Sequence, residues 1–213
     1  AAALGTGALT VGADATLENV GAMTLANAIQ LDAGLTLDGS SALSLSGVVA
    51  GTGSLSKNGS GDLTLNGANT FTGGFNLNAG KVTLGNANAL GFGTITAAGG
   101  TTLETSSSEI LSNNLDLDGA LTLSGNNDLT LNGVLFGSGR LVTTGNRTLT
   151  LNSANAFTGG VTFGGGTLAV GNSYALGLGT LSLVGDTQLD ANSNVSLNNN
   201  IALSTHTLTL PGT

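Results

Sequence analysis

The sequence predicts an all-β fold, a parallel β-helix (solenoid) of about ten coils, from three observations. Leu-x-Leu triplets such as LTL and LSL recur throughout the 213 residues. Apolar residues return at a spacing of twenty, and a longer unit of 86 residues repeats without gaps. A single short coil cannot bury its own leucines, so repetition at this period indicates coils that bury each other's inner faces.

The triplets predict short strands. Alternation with period two places both leucines on one face of a strand and the Thr or Ser between them on the other. Gly, Asn, Asp and Ser separate the triplets and supply the backbone conformations that tight corners need. With 36 glycines, the chain is too rich in glycine for long helices.

The spacing of twenty predicts one coil per twenty residues. Two series show this spacing, and we expect the members of each to stack coil over coil: Leu35, Leu55, Phe75 and Ile95, then Leu43, Leu63, Thr83 and Leu103. At the strand spacing of about 4.8 Å, ten coils would make a rod of roughly 50 Å.

The longer unit is clearest where LNGANTFTGG at 65–74 returns as LNSANAFTGG at 151–160. The chain therefore divides into a partial unit, 1–50, and units 51–136 and 137–213 of one β-helical fragment of a longer protein. Since 86 exceeds four coils of twenty by six, we expect extra residues to bulge at a corner near 105–109.

Side chains repeated between units are candidates for structural positions, with Phe71 and Phe157 as core or corner anchors. The predicted positions are Asn69, Phe71, Gly73, Gly74, Leu90, Gly91, Asn155, Phe157, Gly159, Gly160, Leu176 and Gly177. Asparagines that close LTLN segments should bond the same residue one coil on and form a ladder. These are Asn66, Asn132 and Asn152.

Composition excludes several classes of function. The net charge of −8, with only four Lys and Arg, argues against nucleic-acid binding. The absence of Cys excludes disulfides and thiolate metal sites. We expect Lys57, Lys81, Arg140 and Arg147 to serve solubility and protection of sheet edges.

The chemistry-bearing residues predict no enzyme, no catalytic or metal site and no cofactor. His206 is the single histidine, and no GxSxG motif accompanies it. The sharpest acidic pair, Asp116 and Asp118, could hold Ca²⁺ with a corner carbonyl, but two outward carboxylates that aid solubility are the favoured interpretation.

Three segments in fixed order carry a resemblance to a known family. GSLSKNGSGDLTL (53–65), NGANTFTGG (66–74) and NAGKVTLGNANALG (78–91) resemble the passenger-associated transport repeat, also called the autotransporter-associated β-strand repeat. The copy at 137–180 keeps ANAFTGG and ALGLGT. It departs at one corner, where Thr143, Thr144 and Thr148 replace Lys57, Asn58 and Asp62.

This resemblance implies the passenger of a bacterial autotransporter, a type V secreted protein associated with virulence. It implies a right-handed β-helical stem that promotes passenger folding and secretion and displays distal regions. The expected location is the cell surface or medium, after export through the periplasm and outer membrane by the protein's own C-terminal barrel. Outward Asn, Thr and Ser leave an adhesin open as the alternative, with self-association or a host surface or glycan as partner.

Overall fold

In a computed structural model that describes residues 4–192 and 194–211, the chain is a parallel β-solenoid of about ten turns. No helix occurs in that part of the chain, so none there is long and apolar enough to span a membrane. The two ends of the predicted repeat division, at residues 1–3 and 212–213, and Ser193 lie outside the described residues. The all-β, parallel prediction is confirmed, since every strand pair is parallel.

Twenty-six short strands follow the chain in order. They are β1 (Leu9–Val11), β2 (Ala15–Glu18), β3 (Met23–Leu25), β4 (Ile29–Leu31), β5 (Leu35–Asp38), β6 (Leu43–Leu45), β7 (Val49–Gly51), β8 (Leu55–Lys57), β9 (Leu63–Leu65), β10 (Phe75–Leu77), β11 (Lys81–Leu84), β12 (Ile95–Ala97), β13 (Thr101–Thr105), β14 (Glu109–Leu111), β15 (Leu115–Leu117), β16 (Leu121–Ser124), β17 (Leu129–Leu131), β18 (Leu135–Phe136), β19 (Leu141–Thr143), β20 (Arg147–Leu151), β21 (Val161–Phe163), β22 (Gly166–Val170), β23 (Leu181–Leu183), β24 (Thr187–Ala191), β25 (Ile201–Ala202) and β26 (Leu208–Thr209).

The strands build three faces, numbered in the order in which a coil visits them. Face 1 consists of a three-stranded sheet (β1, β4, β7) and, further along the rod, a six-stranded sheet (β14, β17, β20, β22, β24, β26). Face 2 is a seven-stranded sheet from β2 to β18, and face 3 is a ten-stranded sheet from β3 to β25. Among the described residues, only face 3 has a strand in every coil, so its sheet is continuous along the rod.

The spacing of twenty holds on face 2. Leu55 pairs with Leu35 on one side and Phe75 on the other, and Phe75 pairs with Ile95. All four side chains are buried, in a core cluster that extends from Val11 to Leu183. This row of the predicted core is confirmed.

The second predicted row is wrong at one position. Val82, not Thr83, lies between Leu63 and Leu103. The cause is a local shift of register, because Val82 follows Leu63 by 19 residues and precedes Leu103 by 21. Thr83 therefore lies on the outer side, between Thr64 and Glu104.

The bulge expected near 105–109 is also absent. Leu103 pairs with Leu123 before this corner, and Glu109 pairs with Leu129 after it, both at a spacing of twenty. The repeated unit of 86 residues is six residues longer than four coils. Six residues is also the distance in sequence from a face 1 strand to the face 2 strand that follows it, as from Ile29 to Leu35.

Each 86-residue step therefore moves the sequence one face around the rod. Strand β4 on face 1 has its counterpart 86 residues later in β15 on face 2, and the next counterpart is β25 on face 3. Three units of 86 residues make about thirteen coils of twenty. Equivalent residues thus follow a staircase around the solenoid instead of a line along one face.

Deleting one coil should preserve this fold, whereas deleting half a coil should not. Removal of residues 115–134 brings Leu135 into the position of Leu115, so every later strand keeps its face. We expect a cooperative melt, an unchanged far-UV circular dichroism band, and a rod shorter by about 4.8 Å in small-angle scattering.

The matched control removes residues 115–124 and places every later strand half a coil out of phase. This variant should lose cooperative melting, because its inward leucines no longer meet inward leucines. Equal stability of the two deletions would contradict the twenty-residue register.

Candidate functional site: two loop clusters spaced 86 residues apart

Two loops replace strands within the stack. The first loop, residues 86–91, lies on face 1, and the second loop, residues 172–177, lies on face 2. In the first loop, the backbone amides of Ala89 and Gly91 donate to the carbonyls of Asn86 and Asn88, both at 3.0 Å. The amide of Asn88 also donates to the Asn86 side-chain oxygen at 2.9 Å. The second loop makes the same three bonds, so both copies share one local fold.

The first loop is held from the preceding coil by Asn69, which is 1% exposed. Its Oδ1 accepts a hydrogen bond from the backbone amide of Val49 at 2.8 Å. Its Nδ2 donates to the carbonyl of Ala89 at 2.6 Å. One side chain thus joins three coils where no ladder of strand hydrogen bonds is present, and it satisfies two buried backbone groups.

Asn155 does the same for the second loop on a different face of the rod. Its Oδ1 accepts from the amide of Leu135 at 2.8 Å, and its Nδ2 donates to the carbonyl of Ala175 at 2.7 Å. The near-identical distances indicate that the geometry belongs to the repeated unit and does not depend on which face carries it.

A second asparagine holds each loop from the following coil. The Nδ2 of Asn113 donates to the carbonyls of Gly91 at 3.0 Å and Gly93 at 2.8 Å. Asn27 and Asn199 make the same pair of bonds in the other units. The sequence analysis did not single out these three asparagines. Their signal was an Asn kept at every 86-residue step, although its neighbours changed.

An aromatic ring and a glycine complete each cluster. Phe71 is fully buried, and its carbonyl accepts the amide of Phe92 at 2.9 Å. Gly91 has a φ of +65°, and a Cβ there would lie 2.3 Å from the Phe71 carbonyl oxygen and 3.0 Å from its ring. Phe157 and Gly177 repeat the contact, at 2.4 Å from the oxygen and 2.9 Å from the ring.

The remaining predicted positions lie close to these clusters in sequence. Leu90 and Leu176 are buried in the core. Gly74 and Gly160 have positive φ at the corner that follows Phe71 or Phe157, and Gly73 and Gly159 pack against backbone of the preceding coil. Each unit therefore gathers its Asn, Phe, Leu and loop glycine around one loop, with the glycine pair at the next corner.

Two of the four cations were wrongly expected on the surface. Lys57 is 4% exposed, and its Nζ donates to the carbonyls of Gly59 and Ala79. Glycines make the room for it, since a Cβ at Gly80 would lie 3.1 Å from the Lys57 Nζ. Burial lowers the pKa of Lys57, and the negative charges of Asp62 and Asp38 only partly offset this effect.

Arg147 is the second buried cation, at 2% exposure. Its Nη2 donates to the carbonyl of Gly125 at 2.7 Å, while its Nε and Nη1 have no protein partner among the described residues. Burial lowers its pKa against the opposing charges of Glu104 and Asp128.

The other two cations lie where the sequence analysis expected them. Lys81 is partly exposed and lies between Asp62, at 3.1 Å, and Glu104, at 3.3 Å. The hydrogen bond to Asp62 is the main cause that raises the pKa of Lys81. Arg140 is exposed to solvent.

The asparagine ladder is confirmed in part. The Nδ2 of Asn152 donates to the Oδ1 of Asn132 at 2.8 Å, as predicted. Asn66 instead approaches the Oγ of Ser44 at 3.4 Å, so it has no ladder partner of its own type.

The residues considered for catalysis or metal binding are not gathered into a site. The Nδ1 of His206 lies 3.9 Å from Asp186 near the far end of the rod. Desolvation, followed by the charge of Asp118, raises the pKa of Asp116 on the outer row of face 2. Across residues 4–192 and 194–211, no group of three or more His, Cys, Asp or Glu side chains could hold a metal ion.

Two family models match the chain. The passenger-associated-transport-repeat model matches residues 55–84 and 137–170, which include the buried Lys57 corner and the strands around the Asn155 bracket. These two stretches are similar to the passenger-associated-transport-repeat, a repeat family of autotransporter passengers. A second model, described as repeats of unknown function, matches residues 79–137, which contain the first loop and Asn113. Neither the curated proteins nor the solved structures hold a match to the chain.

The loop brackets give a matched pair of mutations. Asn69→Ala leaves the amide of Val49 and the carbonyl of Ala89 buried without partners, which we expect to lower the free energy of unfolding by about 3 kcal/mol. Asn66→Ala removes one long, exposed contact and should cost under about 0.5 kcal/mol. Urea denaturation followed by circular dichroism measures both.

Asn155→Ala should lower the free energy of unfolding as much as Asn69→Ala does, because Asn155 makes the same two bonds. If Asn69→Ala lowers the free energy of unfolding no more than Asn66→Ala does, the bracketing role of Asn69 is contradicted.

The buried lysine predicts an unusual alkaline response. Below the lowered folded-state pKa of Lys57, both states are protonated. Between that pKa and the ordinary value of 10.5, the unfolded state binds more protons, so stability attributable to Lys57 rises with pH. The difference in unfolding free energy between the wild type and Lys57→Met should therefore increase as pH approaches 10.5.

Lys81→Met is the control of opposite sign. The pKa of Lys81 in the folded state is raised above 10.5. Charged Lys81 therefore stabilises the folded state fully below pH 10.5, and this contribution is lost as the pH rises through the folded-state pKa. Urea midpoints across the alkaline range test both variants, and slopes of the same sign would refute the assignment.

Proposed function

We propose that this chain is part of the stem of a secreted autotransporter passenger, which promotes passenger folding and secretion and holds distal regions away from the cell. The observation that carries the proposal is the pair of buried asparagines, Asn69 and Asn155, which lie in the two segments that match a passenger repeat family and make the same bonds in each copy. The repeat context supports export by a C-terminal outer-membrane barrel of the same protein, and a location at the cell surface or beyond.

The stacking supports folding that proceeds coil by coil. Each coil contacts mainly its two neighbours, so stability accumulates along the rod. Each new coil buries apolar surface worth about 25 cal/mol per Å². A chain without cysteine also forms no disulfide that could hold a partly folded coil on the wrong side of a pore. Folding outside the cell could therefore favour outward movement.

Two finer parts of the proposal rest on general arguments. Each coil is a connection between parallel neighbours of one sheet, and such crossovers are right-handed in about 98% of cases, which supports right-handed winding. A role without catalysis agrees with a fold in which the buried side chains of Asn69, Asn155 and Lys57 bond backbone groups.

An adhesin is the second candidate function, favoured by the polar outer row of face 2. Asn76 donates to the Oγ of Ser56 at 3.0 Å, and threonines extend the row on both sides. Such a row could make many weak contacts with another cell. The staircase of the units argues against it, because equivalent side chains do not share one face.

A deletion in the full-length parent protein separates the two candidates. Removing residues 65–150 joins Thr64 to Leu151, which takes the place of Leu65 and moves all later coils back by one face. Surface display and cell–cell adhesion per displayed molecule are then measured separately. For a stem, we expect display to fall while adhesion per molecule holds.

The one-coil deletion of residues 115–134 in the same parent is the control, and it should reduce display less. Intact display with collapsed adhesion would overturn the stem and favour the adhesin.

A further inference from the structure

The first loop borders a shallow notch of about 200 Å³ on the outside of the rod. It is lined by Ala87, Asn88, Gly91, Phe92, Ile110, Ser112 and Asn113. Phe92 and Ile110 are 60% and 55% exposed. The notch therefore combines an aromatic ring and an aliphatic side chain with amide and hydroxyl groups, at the size of a single sugar ring and below that of a drug-sized pocket.

The exposure of Phe92 is unusual for this chain. The protein has six Phe and one Tyr. Four of the Phe side chains are fully buried, and the only aromatic residues among the exposed large side chains are Phe92 and Tyr174. Tyr174 lies in the second loop and Phe92 immediately after the first. The two most exposed aromatic side chains thus lie at the two loops, where they are available for binding.

The polar groups of the notch are available to a ligand. The described residues include no hydrogen-bond partner for the side chains of Asn88 and Ser112, which are exposed. Asn113 is committed to the loop carbonyls and fixes the floor of the notch. The rigid bracket therefore positions the ring of Phe92 next to a free amide and a free hydroxyl.

We propose that this notch binds a neutral carbohydrate. The C–H face of a pyranose packs on an aromatic ring, while its hydroxyls exchange hydrogen bonds with amides and hydroxyls. The lining holds no charged side chain among its described residues, and the net charge of −8 disfavours anionic ligands. A basic ligand would favour the acidic side chains elsewhere on the rod over an uncharged notch.

This inference does not rest on the stem function. The display assay tests the stem, and the sugar titration tests the notch. Either proposal can therefore fail while the other holds. The aromatic ring belongs to this unit alone, because Phe92 corresponds to Thr6 one unit earlier and to Leu178 one unit later.

The test is an NMR titration of the isotopically labelled chain with four neutral tetrasaccharides: cellotetraose, N-acetylchitotetraose, maltotetraose and lacto-N-tetraose. One shallow contact implies a Kd on the order of 1 mM, so each sugar is added to about 10 mM. We expect at least one sugar to shift the amide signals of residues 91–93 and 112–113. No shift of these signals with any of the four would overturn the proposal.

Variants assign the contact to the ring. Phe92→Thr, which copies Thr6 at the equivalent position of the preceding unit, should weaken binding about tenfold or more, and Phe92→Tyr should retain it. Val20→Ala removes a 94% exposed apolar side chain on a distant coil and should change nothing. Unchanged affinity in Phe92→Thr, or tighter binding of a heparin tetrasaccharide than of any neutral sugar, would also refute the assignment.

Discussion

Stacking of one coil on the next is the constraint on which the whole molecule depends. A strand of three residues with two inward leucines has little to bury alone, but at a spacing of twenty residues its leucines meet those of the coils on both sides. Every departure from that spacing must leave the stack intact. The shift at Val82 shows how this is done, since a step of 19 residues is followed at once by a step of 21.

Buried polar side chains of this rod bond backbone groups at its loops and corners. Asn69 and Asn155 bond backbone groups of the two coils next to their own, and they lie directly before the loops that replace a strand. Lys57 and Arg147 fill corners where glycines leave room, and both donate to backbone carbonyls. The buried charges and amides thus satisfy backbone groups that lie outside the regular strand ladder.

The row from Leu35 to Ile95 could be predicted from the sequence, because apolar alternation and a constant spacing are both visible in the letters. Thr83 could not be placed, since a register shift that reverses within one coil leaves no mark on the overall period. Asn69 was singled out by its repetition, but its partners depend on which coils adjoin it. Lys57 was misplaced because lysine is rarely buried. The glycines at 39, 59 and 80 were the available signal, and they become meaningful only once the coils are stacked.

The repeated unit of 86 residues is not a whole number of twenty-residue coils, and this limits the surfaces that the rod can present. If one face had to present an unbroken ligand strip, a unit of 80 residues would keep equivalent side chains in line, whereas a unit of 86 turns them to the next face. The loop bracket is the same on faces 1 and 2, as the equal bonds of Asn69 and Asn155 indicate. A sequence that repeats with a one-face step therefore preserves its core and disperses its surface. This property suits a spacer with isolated binding points better than a continuous adhesive face.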